Sequence, residues 1–118
     1  KGSPVLAKHF TKNLEDLLGP SRKKDDEILQ FHKDIAASAQ VIYEEYFFHV
    51  LNYIFGSIDT KCLAIAGGCG ANSVANGKIT NKTSFEKVFI HPAPGDAGGA
   101  VGAASIINNN LGYKKYQL

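Results

Sequence analysis

Ala64 to Lys78 reads AIAGGCGANSVANGK, and after a short gap Val88 to Ala104 reads VFIHPAPGDAGGAVGAA. In both runs an apolar segment stops at glycine and a small-residue segment suited to a helix follows. Lys61–Ala66 (KCLAIA) is too short for a helix of its own and is bounded by Gly67 and Gly68, so it reads as a buried strand. Lys87–Ile90 (KVFI) is β-branched and aromatic, closed by Pro92 and Pro94, and reads as a second strand. A short helix is expected over Asn72–Ile79, despite Gly77, and another over Ala97–Asn108, capped by Gly112 and so rich in Ala and Gly that it should lie close to its neighbours. Strand, crossover helix and strand make a parallel βαβ unit, which is buried on both faces in α/β proteins.

Upstream, Lys1–Lys24 carries Pro4, Gly19 and Pro20 with one apolar patch at Leu14, Leu17 and Leu18, and reads as a loop-rich lead-in with a helical turn. From Asp25 the character changes. Asp25, Asp26 and Glu27 place negative charge where a helix start favours it. Apolar residues then recur from Ile28 to Ile54 with a 3.6-residue period over about eight turns, up to Gly56. One long helix with a broad apolar face is expected, packed on a sheet. Two strands make too small a sheet to stand alone, the chain has no methionine, and it starts at Lys1, so it reads as a piece of something longer.

The totals narrow the function classes. The chain has 118 residues, enough for one domain, with 44% hydrophobic and 20% charged residues, as in a soluble globular protein. Net charge is +2 and the Arg22-Lys23-Lys24 run is answered at once by acidic residues, so no basic stripe points to nucleic acid. No apolar run approaches the ~20 residues of a membrane span. Cys62 and Cys69 lack the C-x-x-C spacing of zinc or redox motifs and read as buried filler, which suits a reducing cytoplasm.

A glycine pair between strand and helix turns backbone N–H groups toward an anion, with the helix dipole behind them. Neither common phosphate motif is complete. From Gly68 the letters run G-C-G-A-N-S, with Ser73 at the last glycine of a Rossmann fingerprint. A P-loop ending at Gly77-Lys78 puts Asn72 at its first glycine and Ile79 at its hydroxyl position. A nucleotide cradle and a tight turn with close helix packing both remain open. Asp96 precedes a helix start, so it is either an ordinary N-cap or a carboxylate at the carboxyl end of a parallel strand, placed to hold a metal or a catalytic water. The histidines His9, His32, His49 and His91 form no metal-ligand pair at helical spacing; His91 lies nearest the proposed site.

Three motifs in order carry a resemblance. GP-x-R from Gly19, then FHKDIAASAQ with Glu44 following, then CLAIAGGCGANSVANGKI and FEKVFIHPAPGDAGGAVGAA, closely resemble carbamoyltransferases of the nodulation and antibiotic-biosynthesis type. The resemblance implies a partial actin-like, sugar-kinase-like ATPase (ribonuclease H-like) domain of the α/β class, with residues 25–118 as its second half. It implies that carbamoyl phosphate and ATP give carbamoyl adenylate in a separate YrdC-like domain. The actin-like domain then passes the carbamoyl group to a hydroxyl of a small acceptor. It also implies that Gly67, Gly68 and Asn72 lie at the nucleotide and that Asp96 matches a metal-binding aspartate, usually of iron. Two metal-binding histidines belong to an upstream motif of that family. Cys69-Gly70-Ala71 departs from the Val-Ala-Leu more often found there, leaving the glycine pair and Asn72 in place.

The expected partners are carbamoyl phosphate, the acceptor, the rest of the actin-like domain and the YrdC-like domain, with a homo-oligomer possible and neither nucleic acid nor membrane. Transfer activity is not expected of the piece alone. Two other classes compete. One is a non-catalytic nucleotide-binding module; the other is a half-domain that docks through its long helix. Within the enzyme class, a threonylcarbamoyl-transfer subunit acting on tRNA is disfavoured by the missing basic surface and by HPAPGDAG where that subunit more often reads T-D-N-A.

Overall fold

The computed structural model describes residues 9–112. They form helix α1 (Lys12–Leu18), the long helix α2 (Gln30–Ser57), strand β1 (Cys62–Ile65), a 3-10 turn (Gly68–Ala71), the short helices α3 (Ser73–Asn76) and α4 (Ile79–Lys82), strand β2 (Lys87–Ile90) and helix α5 (Gly98–Asn110). The chain divides into two compact units, one up to Tyr43 and one from Glu44 onward.

In the first unit, the acidic run that pointed to a helix start at Asp25 is spent on a turn instead. The Lys23 N–H donates to the Asp26 carboxylate at 2.9 Å, and the Arg22 guanidinium donates to the Asp26 carbonyl at 2.6 Å. With that carboxylate engaged, α2 begins at Gln30, five residues beyond Asp25. His32 takes the reciprocal position of a capping box there, its Nδ1 accepting the Leu29 N–H at 3.0 Å. At the other end, Gly56 does not stop the helix; Ser57 closes it, its hydroxyl donating to the Tyr53 carbonyl at 2.9 Å.

The second unit holds the core. Phe48 and Leu51 of α2 meet Ile79 of α4 and Phe85, with Phe47, Phe55, Leu63, Ile65 and Val88 packed around them. Phe48, Leu51 and Phe55 stand at i, i+3 and i+7, so they share one helix face. Phe55 meets Phe85 edge to face, ring centroids 5.1 Å apart.

β1 and β2 pair in parallel, with Leu63 opposite Val88 and Ile65 opposite Ile90. Because successive side chains alternate between faces, Leu63, Ile65, Val88 and Ile90 turn to the half-buried side while Cys62, Ala64, Lys87 and Phe89 are exposed. Among the described residues one face of the pair is covered and the other is not. The expected burial of the thiols is corrected, since Cys62 and Cys69 are both exposed. That removes the burial argument for a reducing compartment.

The expected single helix from Asn72 to Ile79 is also two, broken at Gly77 and Lys78. α5 buries none of its residues against the described part of the chain. Gly112 does follow it in the left-handed region, with φ +73°. No described helix is long and apolar enough to cross a membrane.

Phe85 is 1% exposed and Phe89 49%. In urea denaturation, Phe85→Ala is expected to cost about 3–5 kcal/mol and Phe89→Ala less than about 1 kcal/mol. Equal losses would contradict the one-sided core.

Candidate functional site

Because β1 and β2 are parallel neighbours, the chain leaves both at the same sheet edge. The two exits are bonded to each other. The Gly67 N–H donates to the Pro94 carbonyl at 2.6 Å, and the His91 N–H reaches the Ile65 carbonyl at 3.5 Å. The glycine turn after β1 thus lies against the loop after β2, two residues before Asp96.

Each glycine has its own reason. Gly67 has φ +100°, a conformation that side-chain-bearing residues rarely adopt. Gly70 is buried, and a Cβ there would stand 2.9 Å from Pro94 Cβ and 3.3 Å from Ile65 Cγ2. Gly68 differs from both. Its φ is not positive and a Cβ built on it meets nothing within 4 Å, so none of the described residues requires glycine there.

Asn72 is the N-cap of α3, its Oδ1 accepting the Ala75 N–H at 3.1 Å. Asn76, at the end of α3, donates from Nδ2 to the Gly70 carbonyl at 2.8 Å. Asp96 is exposed, and its carboxylate does not cap α5, whose N-cap is Ala97 without a side-chain bond. Of the two readings of Asp96 in the sequence, the N-cap is thereby excluded. His91 faces its own loop, its Nδ1 2.8 Å from the Ala93 carbonyl oxygen. The loop stays tight up to the start of α5, where a Cβ on Gly98 would stand 2.6 Å from that same carbonyl oxygen.

Among the described residues no group of three or more His, Cys, Asp or Glu is placed to hold a metal. Asp96 offers a hard oxygen donor suited to a divalent cation, but one carboxylate cannot complete a coordination sphere. Any metal held here needs ligands from elsewhere.

Lys78, between α3 and α4, donates to both oxygens of Glu44 on α2 at 2.7 Å. No local pattern in the sequence announces that pair, which is formed across 34 residues. At the opposite end of the sheet, the exposed Lys61 donates to Glu86, which raises the Lys61 pKa above its ordinary 10.5, by hydrogen bond first and charge second. What that pair adds to stability is whole below 10.5 and is lost as pH climbs through the raised value, so it does not vary near neutrality.

With that geometry in hand, the comparisons with known proteins are specific. The chain belongs to the carbamoyltransferase family: the family model described as Carbamoyltransferase N-terminus matches residues 6–105. It is 38% identical over 104 residues to nodulation protein NolNO of Sinorhizobium fredii, covering 82% of this chain and 15% of that protein. It is 35% identical over 104 residues to nodulation protein NolO of Bradyrhizobium diazoefficiens, covering 82% and 19%. An uncharacterized protein of Synechocystis, sll1178, is 40% identical over 94 residues, covering 79% and 15%. The chain therefore spans under a fifth of the length of these curated relatives. No solved structure matches.

Gly70→Ala is expected to lower stability by about 1–3 kcal/mol, because Pro94 must move, whereas Gly68→Ala stays within about 0.5 kcal/mol of the parent. Thermal denaturation of the two variants checks the contrast.

Proposed function

We propose that this chain is part of an O-carbamoyltransferase and supplies the edge of an actin-like domain that holds the adenylate and one metal ligand. The observation that carries the reading is the turn at Gly68, where a Cβ would meet nothing within 4 Å among the described residues, bonded to the loop that bears the exposed Asp96. A position that tolerates a side chain in the folded protein yet keeps glycine is suited to close approach by a phosphate.

In the proposed reaction water first cleaves carbamoyl phosphate to carbamate and phosphate, and a carbamate oxygen then attacks the α-phosphorus of ATP, displacing pyrophosphate and giving carbamoyl adenylate. The acceptor hydroxyl oxygen then attacks the carbamoyl carbon, the bond from that carbon to the adenylate oxygen breaks, AMP leaves, and a base takes the hydroxyl proton. A divalent cation, iron in the family this chain resembles, supplies charge stabilisation of the carbamoyl oxygen when bound. Asp96 is the residue of this chain that would hold it. Gly68 leaves room for the phosphate at the turn, while Gly67 and Asn72 shape that turn, one by its left-handed backbone and one by capping α3. The base, the remaining metal ligands, the YrdC-like domain and the acceptor pocket come from the rest of the protein. A small-molecule acceptor and a cytoplasmic setting belong to the same proposal.

In the full-length enzyme carrying this segment, Asp96→Ala is expected to lower carbamoyl transfer by about a hundredfold or more while leaving ATP affinity within about threefold. Gly68→Ala is expected to weaken ATP binding about tenfold without loss of fold, a change equivalent to ~1.4 kcal/mol. Calorimetric titration with ATP and an assay of carbamoyl transfer read both. Full activity in Asp96→Ala, or unchanged ATP affinity in Gly68→Ala, would overturn the assignment.

A further inference from the structure

We propose that Asn76 is a positioning residue for the Gly67–Ala71 turn, setting where the backbone of that turn faces the nucleotide; the inference rests on the function proposed above. Two contacts pin the turn. On one side Gly70 lies against Pro94 and Ile65 with no space for a Cβ. Independently, Asn76 Nδ2 holds the Gly70 carbonyl at 2.8 Å. The Gly70 N–H donates to the Gly67 carbonyl at 2.9 Å, and the Gly67 N–H donates to Pro94. Asn76, Gly70, Gly67 and Pro94 are thus joined by consecutive hydrogen bonds, and Gly68 is suspended between two of their members.

The second amide atom shows what Asn76 is for. Its Oδ1 is buried with no hydrogen-bond partner among the described residues. An acceptor left unpaired in the interior is costly, and it offsets much of what the Nδ2 bond contributes. Rotating the amide by half a turn gives no relief, since it would set Oδ1 against the Gly70 carbonyl. The side chain therefore adds little net stability while fixing the direction of one peptide group. That division predicts separable effects. Replacing Asn76 by the similarly branched leucine exchanges one unpaired acceptor, Oδ1, for another, the Gly70 carbonyl, so stability should change little while the turn is released.

The test uses the full-length enzyme carrying this segment, with ATP and Mg²⁺ as the probe. Asn76→Leu is expected to raise the ATP dissociation constant, and the KM for ATP, about tenfold, with the melting temperature within a few degrees of the parent. Asn76→Asp keeps the volume and removes the donor; it should weaken ATP binding at least as much, and it decides alone if the leucine variant does not fold. An unchanged dissociation constant in the folded variants overturns the proposal. So does a rise no larger than the loss of folded protein accounts for. Gly68→Ala, run alongside, separates the two levels of the account: if it too leaves ATP binding unchanged, the nucleotide reading fails, and if it alone weakens binding, only the role of Asn76 fails.

Discussion

The hydrogen bond from the Gly67 N–H to the Pro94 carbonyl governs the geometry of the whole edge. Two parallel strands deliver their exits side by side, but adjacency alone leaves two independent loops. The bond makes them one. It has a chemical consequence as well: the Gly67 N–H faces Pro94 and is not offered to an anion. The glycine pair is therefore not a matched pair of phosphate donors. A Cβ on either glycine would meet nothing within 4 Å among the described residues, but Gly67 bends the chain through a left-handed conformation and ties it down, while Gly68, next to it, has an ordinary backbone angle.

Around that bond the small residues sort by physical role. Gly70 and Gly98 are glycines because neighbouring atoms leave no space for a side chain. Gly67 is one because of its backbone angle. Gly68 has neither reason among the described residues, a standing it shares with Gly95 on the facing loop. Asp96 has a similar standing among the polar residues. Its carboxylate is exposed and does not cap α5, while Asn72 and His91 are occupied with holding local backbone.

Much of this was legible in the letters and some was not. β2 lies at Lys87–Ile90, as its β-branched and aromatic composition indicates, and β1 falls inside Lys61–Ala66. Gly112 sits beyond α5 in the backbone conformation expected of a helix stop. The start of α2 was misplaced because acidic residues favour helix starts and turns alike, and only the contacts of Asp26 with Lys23 and Arg22 show which use is made of them. The periodic apolar face of α2 was visible, yet Tyr46 at 70% and Tyr53 at 74% exposure show that much of it lies outside the core of its own unit. Pairing across sequence was beyond reach: neither the Lys78–Glu44 ion pair nor the Gly67–Pro94 bond leaves a local pattern. The family motifs located the turn and Asp96, but they could not distinguish Gly67, held by its own loop, from Gly68.

Hydrogen exchange of the full-length enzyme with and without ATP and Mg²⁺ tests the joined edge most directly. The account predicts that nucleotide slows exchange at Gly68–Asn72 and at Ala93–Ala97 together, since the loops are bonded to each other. Protection of one segment without the other, or of neither while ATP is bound, would contradict it.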